Sequence, residues 1–263
     1  MKIRACKTKR GFTLIELLVV IGIIALLATI GVGALKGFNA VNVVQAGNRQ
    51  LLDDINRARN AAQNERTTVY MVFVPPLNVN TFPINSIQGA AKKYLTNRFE
   101  GQLTSYNFVA LRSPGDQPGR GRARYLSEWK NLPNGVFINT NEFVAMPAKL
   151  WLNMATAAKS GDDLPFTYIA VPFPTATNEL VELPCIAFDY RGALVGPDPE
   201  KPRRADEILS LTKGSLILPR DPATEKPNFT GTPEIIETPK GNTTNNPKIR
   251  IDWITGRARM EGV

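Results

Sequence analysis

The sequence predicts an α+β fold, with a long N-terminal helix packed on a mainly antiparallel β-sheet head. Three observations carry that expectation. Residues 17–35 contain Thr29 as their single polar member. That apolar run passes without a proline into an amphipathic stretch ending near Asn64. Short runs rich in β-branched and aromatic residues then follow, separated by Pro/Gly connectors.

The helix comes first. These nineteen residues at about 1.5 Å each span roughly 28 Å, close to the hydrocarbon thickness of a bilayer. The first half is therefore expected to cross a membrane. Val44, Leu51, Ile55, Ala58 and Ala62 then recur at helical spacing, the stripe of a helix laid on a sheet. One helix from about Thr13 to about Asn64 is the result. Gly31, Gly33 and Gly37 interrupt its apolar part, and each weakens a helix by about 1 kcal/mol relative to alanine, which leaves local melting open.

Residues 67–74 (TTVYMVFV) read as a buried strand stopped by Pro75-Pro76. Further strands are expected at 104–111, 135–138, 166–171, 185–190 and 248–254. A hairpin is expected from 207–211 with 215–218, turning at Lys213-Gly214. Short helices are expected near 87–97 and 147–159, with Pro147 in the first turn of the latter. Connectors 112–122, 196–204 and 219–247 read as loops, the last as a long surface loop.

Composition narrows the chemistry. The chain has no histidine, which removes the usual general base, the Ser-His-Asp and Cys-His arrangements and most zinc sites. Cys6 and Cys185 are the two cysteines. No enzyme and no cofactor are expected. Asp53-Asp54 lie on a helix where adjacent side chains diverge, and Asp162-Asp163 follow Ser160-Gly161 as a turn, so no metal site is expected. Trp129, Trp151 and Trp253 read as core anchors, and Cys185 as a small buried hydrophobe.

Net charge is +9, but Lys2, Arg4, Lys7, Lys9 and Arg10 place five positives before residue 11. Without them 27 basic residues face 23 acidic ones. Positives before an apolar run keep the N-terminus cytoplasmic and send the rest outward. A secretory signal or a single-pass anchor both fit so far. Two residues separate them: Gly11 stands before the apolar run, and Glu16 stands inside it. A carboxylate in an apolar span is costly and normally marks a function with a partner.

Gly11-Phe12-Thr13-Leu14-Ile15-Glu16 resembles the prepilin cleavage and methylation motif of type IV pilins and type II secretion pseudopilins. The resemblance implies a leader peptide (1–11), a stalk helix (12–66) and a periplasmic head (67–263). It implies cleavage by prepilin peptidase between Gly11 and Phe12 and N-methylation of Phe12. It also implies pairing of Glu16 with the terminal amine of a neighbouring subunit. The partners implied are the peptidase, other pilin or pseudopilin subunits and an inner-membrane assembly platform. The location implied is a bacterial inner membrane and then a filament.

Three further strings resemble the GspH/FimT minor pseudopilin group. They are residues 51–62 closing the helix, 186–192 ending in glycine, and 249–259 with Thr255-Gly256-Arg257. Some pilins of that kind bind DNA, so Arg112, Arg120, Arg122 and Arg124, with Arg257 and Arg259, are candidate contacts for phosphates. The competing reading of these arginines is a solvated loop, favoured by the small charge excess and by the absence of interleaved aromatics.

Overall fold

The computed structural model describes residues 13–77, 89–113, 115–117, 121–143, 166–176, 180–196, 205–241 and 246–262. The expected helix at 147–159 lies outside the described residues, as do Trp151, Asp162-Asp163, Arg120, Gly11 and Phe12.

α1 runs from Leu14 to Glu65 as a continuous helix through Gly31, Gly33 and Gly37. The chain divides into two compact units, Met1–Asn42 and Val43–Val263. In the first unit, every described side chain from Thr13 to Leu27 is exposed. Among the described residues no helix is long and apolar enough to cross a membrane. Thr13–Leu27 alone provides about 22 Å of helix, short of the roughly 30 Å a bilayer core requires. The expected bilayer span is thus not shown by the described side chains.

The second unit opens on the amphipathic part of α1. Val44, Leu51, Ile55, Ala58 and Ala62, the stripe read from the sequence, are all buried. They pack on a seven-stranded antiparallel sheet whose main order is β3-β2-β1-β7-β6, with β4 beside β2 and β8 beside β7. The strands are β1 (Val69–Phe73), β2 (Ser105–Ala110), β3 (Arg124–Tyr125) and β4 (Lys130–Asn131), then β6 (Thr167–Pro172), β7 (Leu180–Phe188) and β8 (Leu194–Val195).

Both faces of this sheet are covered, and the two-residue period of the strands sorts side chains between them. From β1, Val69, Met71 and Phe73 join the core under α1, while Tyr70 and Val72 join a second core on the opposite face. From β7, Ile186 and Phe188 face α1, while Cys185 and Ala187 face away. Tyr94 of α2 (Gly89–Asn97) packs on the second core. The strand β1 is therefore buried throughout, as its uninterrupted run of large apolar residues requires.

Two smaller antiparallel sheets complete the head: β11-β10-β5 and β13-β12-β9. Here the structure corrects the expected hairpin at Lys213-Gly214. β9 (Glu207–Leu209) stops before Ser210 and pairs with β12 (Lys248–Ile251). β10 (Leu211–Ile217) continues straight through Lys213 and Gly214 between β5 (Val136–Ile138) and β11 (Glu234–Glu237). Gly214 serves close strand approach rather than a turn, since a Cβ there would lie 2.1 Å from the Ile236 carbonyl oxygen.

The stretch 219–247 is also more ordered than a loop reading allows. It contains β11 and an isolated bridge between Arg220 and Pro227. Phe229 packs edge-on against Phe99 with ring centres 5.5 Å apart. The turn at Asp252–Arg257 and the strand β13 (Ala258–Glu261) follow β12, where a single strand to 254 was expected.

Candidate functional site

The described chain begins with a helix cap. Thr13 Oγ1 accepts from the Glu16 backbone N–H at 3.3 Å, and the Thr13 carbonyl accepts from Leu17 N–H at 3.2 Å. Thr13 and Glu16 thus stand at the cap and third helical positions, the spacing of a capping box. The Thr-x-x-Glu pattern at 13–16 is the sequence signal for it. A carboxylate in the first turn also meets the favourable end of the helix dipole.

Around Glu16 the surface is apolar. Eleven large hydrophobic side chains between Leu14 and Leu27 are exposed, among them Leu14 at 89% and Leu26 at 64%. Among the described residues no basic side chain forms an ion pair with Glu16. An apolar cylinder carrying one carboxylate near its start needs both a cover for its surface and a cation for its charge.

The head contains a second assembly of sequence-marked residues. Arg59 Nε donates to the Thr255 carbonyl at 2.6 Å, and Gln63 Nε2 donates to the Arg191 carbonyl at 2.7 Å. Gly256, at φ +61°, presses on Gly192, and a Cβ at 256 would lie 1.8 Å from the Gly192 carbonyl oxygen. The three strings read separately along the chain, at 51–62, 186–192 and 249–259, therefore meet at one point. Arg59 and Gln63, one turn apart on α1, bind two turns whose backbones touch.

Two carboxylates build these turns. Asp189 Oδ1 accepts from the N–H groups of Arg191 and Ala193, each at 2.8 Å. Asp252 Oδ1 accepts from the Thr255 N–H at 2.7 Å and the Thr255 hydroxyl at 2.8 Å. Those bonds hold the Asp252 carboxyl below the usual carboxylate range, the Thr255 N–H contributing most.

The candidate phosphate contacts are placed as follows. Arg112 and Arg122 are exposed in the β2–β3 connection, where Asp116 accepts from the N–H groups of Ser113 and Arg122. Arg124 pairs with Glu65 at the end of α1. Arg257 and Arg259 are exposed, the latter on β13 opposite Arg250. Register brings most of these to one end of the main sheet, because Val69 pairs with both Ala110 and Phe188. Arg66 and Arg191, not singled out in the sequence, belong to the same end; nothing local marks them, since the sheet pairing alone brings them there.

Of the other marked residues, Cys185 is buried in the second core. Trp129 sits half-buried on the second core and donates to the Pro174 carbonyl at 3.1 Å. Trp253 packs against the core under α1. Asp54 is buried and engaged by Lys130 and by the Tyr106 hydroxyl at 2.6 Å. Its neighbour Asp53 points to solvent, so the two carboxylates diverge as their helical spacing requires. Among the described residues no cluster of three or more potential metal ligands occurs.

The family model of the prokaryotic N-terminal methylation motif matches residues 6–32, the segment that holds Gly11, Phe12 and Glu16. No curated protein and no solved structure matches the chain. The N-terminal segment of the chain thus carries the prokaryotic N-terminal methylation motif, with Glu16 in the first turn of a capped apolar helix.

Proposed function

We propose that the protein is a minor pseudopilin or pilin-like structural subunit of a type II secretion or type IV pilus filament. The observation that carries this reading is the exposed apolar surface of residues 14–27 with Glu16 at its start and, among the described residues, no ion-pair partner for it. In this reading the prepilin peptidase cuts after Gly11 and the new N-terminal Phe12 is methylated. The helix is held in an inner membrane with the head on the far side, until an assembly platform passes it into the filament. There the neighbouring helices cover the apolar surface, and a neighbour's terminal amine supplies the cation for Glu16. The same segment thus serves first as anchor and then as filament core. The GspH/FimT type of subunit is supported by the convergence of its three strings on the Arg59–Gln63 clasp.

Two substitutions separate the steps. Gly11→Trp is expected to leave the leader attached, read by N-terminal sequencing of the purified chain. Glu16→Ala is expected to be cleaved normally yet be depleted at least about tenfold from sheared filaments, the equivalent of ~1.4 kcal/mol per contact. Full incorporation of Glu16→Ala would refute the pairing role while leaving the processing site standing.

A further inference from the structure

The end of the head where the three strings meet is also a surface of unusual composition. Tyr190 is 54% and Ile254 is 61% exposed, each at the tip of a tight turn. The turns lie side by side, joined by the Leu194 N–H to Trp253 carbonyl bond at 3.0 Å and by the Gly192–Gly256 contact. Turn tips normally carry small polar residues, so two large apolar side chains on adjacent tips are out of place for a surface that meets only water.

Charge at this end is sorted by depth. The guanidinium groups of Arg66, Arg112, Arg122, Arg124, Arg191 and Arg257 are on exposed residues. The carboxylates of Glu65, Asp116, Asp189 and Asp252 are on half-buried ones. Three of those four accept from turn N–H groups, and Glu65 is paired with Arg124. An approaching molecule therefore meets the positive charges first.

We propose that this end of the head is a docking surface for an acidic face of another protein, with Tyr190 and Ile254 as its apolar anchors and the arginines as its rim. Tyrosine and arginine around a small apolar centre is the composition of protein interfaces. A rim of one sign speeds encounter with the opposite sign and rejects like charge. Nucleic acid fits less well. Arg191 already lies over the Tyr190 ring, 5.2 Å from its centre, and isoleucine offers no face on which a base can stack.

The test uses the full chain in the cell that produces it. A photo-cross-linking phenylalanine analogue is placed at Ile254 and, as a control, at Leu180, which is 68% exposed at the other end of β7. The expected result is a discrete protein adduct from position 254 and none from 180. Its yield should fall at least about tenfold in Arg191→Glu/Arg257→Glu and also in Arg112→Glu/Arg122→Glu, a pair in a separate loop that controls for local misfolding. No adduct at 254, or an adduct indifferent to both charge reversals, overturns the proposal.

A second arm titrates the purified chain in detergent micelles with a random glutamate–tyrosine copolymer and with a DNA duplex. Copolymer binding weakened about tenfold by Tyr190→Ala/Ile254→Ala supports the proposal. Duplex binding without copolymer binding replaces it with a nucleic-acid site.

Discussion

Gly256 shows how much one residue can fix. Its φ of +61° belongs to the left-handed region, where an L side chain costs about 1–2 kcal/mol. A Cβ there would also meet the Gly192 carbonyl at 1.8 Å, which the turn has to open to accommodate. Gly256→Ala is therefore expected to destabilise the head by at least about 3 kcal/mol, in the tail of single-site effects. At roughly 2–4 °C per kcal/mol for a chain of this size, the loss is measurable as a lowered Tm. Asp252, beside it, makes the same turn sensitive to acid. Its folded-state pKa is depressed, so its contribution is present above the unfolded value of about 3.9 and is lost as pH falls through the lower folded value. Urea midpoints at about pH 5 and pH 3 should therefore fall further for the natural chain than for Asp252→Asn. Equal falls would remove the turn carboxylate from the acid response. At this scale Glu16 was legible in the sequence because a lone carboxylate in an apolar run is conspicuous. The partners of Arg59 and Gln63 were not, because backbone carbonyls 196 and 128 positions away carry no local signal.

The elements divide in the same manner. α1 was readable at nearly its full length, Leu14–Glu65 against an expected 13–64, because its apolar stripe repeats at the helical period. Strands β1, β2, β5 and β6 fall within a residue or two of expectation, each being a compact run of β-branched or aromatic residues. β3, β4 and β8, of two residues each, are too short to show a period, and only their pairing with β2 or β7 defines them. The Lys213-Gly214 hairpin failed for a clear reason: glycine signals a turn locally, but here it lets β11 approach β10. The second half of α1 is an element of the head's core and not a linker to it. A fragment starting at residue 43 retains Leu51, Ile55, Ala58 and Ala62, all fully buried. One starting at 67 exposes the sheet face they cover, and each missing Leu- or Ile-sized side chain forfeits about 1.5–3 kcal/mol of burial. The 43–263 fragment is expected to unfold cooperatively in a thermal melt, and the 67–263 fragment to show no cooperative transition. A cooperative melt of the shorter one would contradict the shared core.

At the scale of the molecule, two units joined in one chain have opposite requirements. The first presents an apolar helix with its side chains uncovered over 14–27, and it reaches a low free energy only beside lipid or other helices. The second is closed on itself, with apolar cores on both faces of its main sheet. That division is why Glu16→Ala is predicted to act on assembly and not on folding of the head. The sequence by itself determined the N-terminal methylation motif, the long N-terminal helix, the α+β class and the stripe that seats α1. Each is a local pattern written within a few turns or a few residues of chain. Only the tertiary structure decided which strands are neighbours, that three distant strings clasp one another at Arg59 and Gln63, and that arginines from four segments share one end of the head. Those outcomes depend on strand register and on backbone groups meeting across more than a hundred residues, and no local periodicity encodes such meetings.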